Sequence, residues 1–93
     1  PDHLGARVNL AAALSNLNRL PEAAAQYAEV VRLQPNDAQF RNAFGIVLAQ
    51  IGRLGDARTQ FAEAVRLDPT ATAARNNLER TNNQLRASGL LAP

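Results

Sequence analysis

Cysteine is absent from the sequence, which removes disulfides and cysteine-based metal sites. Lysine is absent as well, so all ten basic residues are arginine. That lifts the sequence pI to 10.4 although the formal net charge is only +2. Eight acidic residues are interspersed with the arginines, whereas a nucleic-acid domain gathers its positive charge into a patch, so no nucleic-acid partner is expected. Aromatics are scarce: there are three Phe and one Tyr. With 46% hydrophobic residues the chain is still in the globular range, so Ala and Leu must fill the interior, which favours closely approaching helices over sheets. No apolar run nears the roughly 20 residues that a membrane-spanning helix needs, and the N-terminus lacks the basic start and apolar stretch of a signal peptide. The expectation is a soluble segment without a membrane partner, cytoplasmic by default. Ninety-three residues make a single domain, 1–93.

What the sequence does contain is a repeat. Pro1, Pro35 and Pro69 are spaced by 34 residues. Laying 4–37 over 38–71 without a gap gives twelve identities, at Arg7, Leu14, Arg19, Leu20, Ala23, Gln26, Ala28, Glu29, Val31, Arg32, Leu33 and Pro35. Chance would give about three or four.

Each unit divides into two helices by its own punctuation. Leu10, Leu14 and Leu17 recur at helical spacing, Asn18-Arg19-Leu20 interrupts, and Pro21 falls where a first-turn proline is tolerated. Ala23, Tyr27, Val30 and Val31 then keep the same period until Pro35 ends the second helix. The second unit follows suit with Phe44, Leu48 and Ile51, a turn at Gly52-Arg53-Leu54-Gly55, and Ala57, Phe61, Ala64 and Val65 before Pro69. Asn36 or Asp37, and later Thr70, are the expected N-caps of the helices that follow.

These residues resemble the tetratricopeptide repeat family, whose unit is a 34-residue helix–turn–helix with small residues where its helices cross. Ala11 and Gly45 match the small residue of the first helix and Ala23 and Ala57 that of the second. Tyr27 and Phe61, Val30 and Ala64, and Pro35 and Pro69 match the later columns. A bulky side chain at the crossings would force the helices apart. Arg7 and Arg41 depart from the family, standing where an aromatic residue is usual. The resemblance implies an all-α fold, an α-solenoid of two full units, 4–37 and 38–71, followed by a capping helix at 71–87 and a tail at 88–93, five helices in all.

The capping helix begins like a third unit, with Arg75, Asn76 and Leu78 following Arg41, Asn42 and Phe44. Glu79, however, takes the column of Ala11 and Gly45, where a partner helix would cross. Its apolar stripe of Ala74, Leu78 and Leu85 is thin and Asn82 and Asn83 add polarity, as befits the end of a stack. At the other end Pro1-Asp2-His3 is in register with Pro35-Asn36-Asp37, which reads as the remnant of an upstream unit of a longer array. The outer face of the first helix, including Leu10, is then expected to lack its cover and to favour a homodimer.

Sites for chemistry are few. His3, the only histidine, has no Cys or carboxylate at ligand spacing, so no metal site, cofactor or catalytic role is assigned to it. Glu22, Glu29, Asp56 and Glu63 recur on the second helices, and Glu29 and Glu63 lie three residues before Arg32 and Arg66, the spacing of surface ion pairs. Arg7, Arg41 and Arg75 form a column that would suit a phosphate-rich ligand; the alternative is that their stems cover apolar seams and their heads pair with acids of adjacent units. There is no phosphate loop or Ser/His/Asp set, and the chain is not expected to be an enzyme.

By resemblance, the first helices line a concave groove that holds peptides. The candidate peptide-binding residues are Val8, Ala12, Ser15 and Asn16 in the first unit; Gln39, Asn42, Ile46, Ala49 and Gln50 in the second; and Asn76, Arg80 and Asn83 in the cap. Amide side chains can pair both donors and acceptors of an extended backbone. Members of the family that grip a carboxylate terminus use Lys and Asn where Val8 and Ala12 stand, and a Lys where Ala73 stands, so that subtype is not expected. Asn9, Asn42, Asn76 and Asn77 are similar to the asparagine ladders of repeat domains on protein-glycosylating enzymes, although Ala43 breaks the column. The resemblance thus implies a non-catalytic module binding a protein or peptide partner. The alternatives are a substrate-recruiting or regulatory appendage of a larger enzyme such as a glycosyltransferase, and a homo-oligomerisation unit.

Overall fold

The structure is a computed structural model describing residues 3–91. The Pro1-Asp2 portion of the N-terminal register and the last two residues of the tail lie outside the described residues. Five helices follow one another: α1 Leu4–Asn16, α2 Leu20–Leu33, α3 Ala38–Ile51, α4 Leu54–Leu67 and α5 Thr72–Ala87. No strand occurs among the described residues. Each helix packs on the next, α1 on α2, α2 on α3, α3 on α4 and α4 on α5, while α3 also touches α5. The result is an elongated stack, 44 × 27 × 18 Å, all-α, built of helical hairpins.

The turns inside the hairpins share one device. Asn18 and Gly52, 34 residues apart, both take positive φ, 60° and 96°. Just beyond each, the backbone closes the end of the helix: Arg19 N–H donates to the Leu14 carbonyl at 2.8 Å and Arg53 N–H to the Leu48 carbonyl at 2.9 Å. This left-handed turn satisfies carbonyls that the helix end leaves open. In α5 the same turn falls at Gly89, with Leu90 N–H on the Leu85 carbonyl at 2.9 Å, so this helix runs past the repeat's turn column, occupied by Arg86.

The hairpin-to-hairpin junctions differ. Asp37 caps α3, its carboxylate accepting from Phe40 N–H at 3.0 Å. Thr70 does not cap α5. Its hydroxyl and its N–H both donate to the Asp68 carboxylate, at 2.6 and 3.1 Å. The cap position is Ala71, which stands in Asp37's column and has no side-chain acceptor.

Small residues let the helices approach. Ala11, Ala23 and Ala57 are fully buried, and Gly45 is buried against Phe61. One core cluster gathers Ala11, Leu14, Ala23, Ala24, Tyr27 and Val47, so Tyr27 joins both hairpins; a second holds Leu48, Ala57 and Phe61, with Leu78 of α5 against it. The Leu10, Leu14, Leu17 series of α1 is split: Leu14 is buried, whereas Leu10 and Leu17 are 47% and 68% exposed. Their counterparts in α3, Phe44 and Ile51, pack against the core, because α2 lies over that face of α3. Nothing among the described residues lies over the same face of α1.

Candidate functional site

Helices α1 and α3 open the two hairpins, and α5 takes the corresponding place after them. On α1, Val8 and Ser15 are half-buried and Ala12 and Asn16 exposed. On α3, Asn42 and Ala49 are half-buried and Gln39, Ile46 and Gln50 exposed; on α5, Asn76, Arg80 and Asn83 are exposed. The crevice between α3 and α5 brings part of this set together. A cavity of about 260 Å³ is lined by Ile46, Ala49, Gln50 and Arg80, joined by Phe61, Asn77, Thr81 and Gln84. Further along, a cavity of about 270 Å³ includes Gln39 and Asn42 with Asp68 and alanines 38, 71, 73 and 74.

The two cavities flank a hydrogen bond across the crevice, Asn77 Nδ2 donating to Asn42 Oδ1 at 3.0 Å. Arg80 Nη1 donates in turn to Asn77 Oδ1, at a long 3.4 Å. This amide bridge fixes Asn42 as an acceptor toward α5, which leaves its own N–H donors for another carbonyl. Thr81 is buried, and its hydroxyl donates to the Asn77 carbonyl at 2.7 Å.

The remaining candidates sit elsewhere. Val8, Ala12, Ser15, Asn16 and Asn76 line none of the cavities described here. Asn83 lines a groove on the opposite flank of α5, a space of about 410 Å³ shared with Val65, Arg75, Leu78, Glu79, Asn82 and Arg86. There its Oδ1 accepts from Arg86 Nη1 at 3.1 Å. Asn77, named only in the asparagine ladder, and Thr81, Gln84 and Phe61 were not among the candidate peptide-binding residues. The first three share a face with Arg80 at helical spacing, a signal present in the sequence but hidden when columns are carried over from a family pattern. Phe61 gave none, being a core residue whose ring reaches the cavity floor.

Arg7 and Arg41 of the arginine column do not pair with acids of adjacent units. Arg7 Nη1 donates to Gln26 Oε1 at 2.8 Å, and Arg41 Nη1 to Gln60 Oε1 at 3.1 Å, each inside its own hairpin. Arg41 Nε also donates to the Pro35 carbonyl at 3.0 Å. The partners are glutamines rather than acids of an adjacent unit, because Gln26 and Gln60 face the column from the paired helix. Arg75 lies apart, in the groove on α5's far flank. The acids of α2 and α4 pair within their own helices, Arg19 with Glu22, Arg32 with Glu29, Arg53 with Asp56 and Arg66 with Glu63. Hydrogen bonds from Arg32 and Arg66 hold the Glu29 and Glu63 carboxyls below the usual glutamate range. His3 is exposed, and among the described residues no group of three or more His, Cys, Asp or Glu side chains could hold a metal ion. Among the same residues, no helix is long and apolar enough to cross a membrane.

No family model matches the chain. No curated protein matches it either. Among solved structures, it is similar to the C-terminal TPR-containing domain of an FK506-binding protein from Plasmodium falciparum, with a TM-score of 0.83 at 22% identity over 94% of this chain. The match spans 58% of the neighbour's length. At that identity the likeness is one of architecture. The hairpin stacking, the 34-residue register and this neighbour agree: the chain has the tetratricopeptide repeat fold.

Proposed function

We propose that this chain is a non-catalytic binding module that docks an extended segment of a protein partner across α1, α3 and α5, with the α3–α5 crevice as its principal pocket. The observation that carries this reading is the crevice itself, where Ile46, Ala49 and the Phe61 ring form an apolar floor beneath Gln50, Arg80 and Gln84. A small apolar cavity rimmed by a few polar groups is what a peptide side chain and its backbone need. The set from Val8 to Asn16 on α1 extends the same face beyond the pocket. The test is a peptide-display selection against the immobilised chain, repeated with Ile46→Asp. Enriched peptides that lose binding to the variant support the reading; peptides that bind both forms equally, or no enrichment, overturn it.

A second reading is favoured by the bare face of α1. Leu10 and Leu17 lie in the columns that α2 covers on α3, so the face is shaped to receive a helix, and two copies of the chain can cover one another there. Among the described residues of α1 and its C-cap, Leu10 and Leu17 are the only large hydrophobics that stand exposed, a small apolar complement for an interface. The dimer is therefore expected to be weak, and sedimentation of the chain against a Leu10→Glu, Leu17→Glu variant decides it: a concentration-dependent mass confined to the parent supports it, and identical sedimentation removes it.

A further inference from the structure

Resting on the groove reading above, we infer that the docked segment pairs an aliphatic side chain with an acidic one: the aliphatic group lodges between α3 and α5, and a side-chain carboxylate two residues away meets Arg80. One repeat column carries the argument. Its occupants are Ala12 on α1, Ile46 on α3 and Arg80 on α5, so the face changes from small to aliphatic to cationic across three helices.

The charge around the pocket has one sign. Glu22, Glu29, Asp56 and Glu63 all lie on α2 and α4, each held by an arginine of its own helix. Helices α1 and α3 contain no acidic residue, and the one acid of α5, Glu79, lines the groove on that helix's opposite flank. Arg80 is exposed at the pocket, and its one side-chain hydrogen bond among the described residues is the 3.4 Å contact to Asn77. A guanidinium carries five N–H donors, so most of its capacity is left for a ligand.

Direction along the face follows from the neighbouring residues. The cavity beyond the Asn42–Asn77 bridge contains Asp68, which would repel a carboxylate, so the acidic residue belongs at the Arg80 end. Between α1 and α3 the positions equivalent to Asn42 and Asn77 are Val8 and Ala43, both apolar, so the aliphatic part belongs toward α1. The spacing fits. Side chains two apart in an extended chain project from one face about 7 Å apart, and Arg80, exposed at the edge of the pocket, has a long side chain that reaches over that distance.

The test uses the whole chain, labelled with ¹⁵N, and three acetylated, amidated peptides identical except at one site: Gly-Ser-Leu-Ser-Glu-Ser-Gly and its Gln and Lys versions. A fourth peptide ends at Leu-Ser with a free carboxylate. The Glu peptide is expected to shift resonances of Ile46, Ala49 and Arg80 and to bind about three- to tenfold tighter than the Gln peptide, with Lys weakest. The advantage disappears at about 0.5 M salt. Arg80→Gln removes the preference and Arg80→Glu inverts it toward Lys, with resonances of α1 and α2 unmoved as the check on folding. Equal binding of the three peptides, still abolished by Ile46→Asp, overturns the charge assignment and leaves the groove reading standing. Stronger binding of the free-carboxylate peptide also overturns it. No shift with any peptide overturns both.

Discussion

Gly45 lies directly beneath the ring of Phe61: a Cβ built at Gly45 would stand 2.6 Å from Cε1 and 2.7 Å from Cδ1. Real Cβ atoms do not approach ring carbons so closely, and Phe61, 2% exposed, has no solvent to retreat into. The α3–α4 crossing is therefore set by the absence of one carbon. Because Phe61 also reaches the floor of the α3–α5 pocket, the same contact fixes the shape of the proposed binding crevice.

Gly45→Ala is accordingly expected to destabilise the chain. Overpacking costs about 1–3 kcal/mol, while replacing a helical glycine by alanine returns about 1 kcal/mol, leaving a net loss of up to about 2 kcal/mol, toward the upper end because the clash is with a ring that has nowhere to move. Phe61→Leu in the same chain should recover part of it by vacating the ring plane. Urea midpoints of the two single variants and the double variant measure the coupling; additive losses would show that the two residues do not press on one another.

The turn residues give a second expectation with opposite signs in the two hairpins. Gly52, at φ 96°, has nothing within 4 Å of an added Cβ, so Gly52→Ala meets backbone strain alone. It should cost about 1–2 kcal/mol. Asn18 holds the matching position at φ 60°, and Asn18→Gly relieves that strain, so its melting temperature should hold or rise. A fall for Asn18→Gly comparable to that for Gly52→Ala would contradict the shared turn.

The fold was legible because the 34-residue register repeats residues whose physical roles are local: prolines that end helices, small residues at crossings, and an αL residue in each turn. The Asp37 cap was visible for the same reason. Thr70 misled because an N-cap depends on where the helix starts, and the start follows the repeat register to Ala71 rather than the nearest hydroxyl. The candidate site was less legible. Ile46, Ala49, Gln50 and Arg80 meet in one pocket with Asn77, Thr81 and Gln84, a grouping that depends on how α5 rotates against α3. That rotation is tied to Leu78, which packs against the Leu48, Ala57 and Phe61 cluster of α3 and α4, a contact between elements that no single helix's pattern contains.

Acid should loosen the chain slightly. Arg32 and Arg66 depress the Glu29 and Glu63 carboxyls below their ordinary values. A depressed carboxyl contributes stability that is present above its unfolded value, about pH 4.3, and lost as pH falls through the lower folded value. Both pairs are exposed, so the effect is small and shrinks further with salt. Urea midpoints should fall below about pH 4 in the parent and fall less in the Glu29→Gln, Glu63→Gln variant; parallel curves for the two would remove the linkage.

The sharpest comparison lies between Leu17 and Leu85, which occupy the same repeat column, 68 residues apart, yet are 68% and 4% exposed. The residue type is identical, so the difference is one of neighbours: α4 covers that face of α5, and nothing among the described residues covers that face of α1. Truncating a buried leucine to alanine costs about 2–5 kcal/mol through lost transfer energy and the cavity left behind. Truncating one that water already reaches stays within about 0.5 kcal/mol. Leu85→Ala is therefore expected to unfold at markedly lower urea than the parent, and Leu17→Ala at nearly the same concentration, at low protein concentration where self-association does not contribute. If an added chain covers the α1 face, Leu17→Ala should acquire a cost that grows with the concentration of that chain, since binding to the folded form adds stability by mass action. Equal losses for the two variants in dilute solution would mean that the first hairpin is covered in solution, in the manner that α2 covers α3.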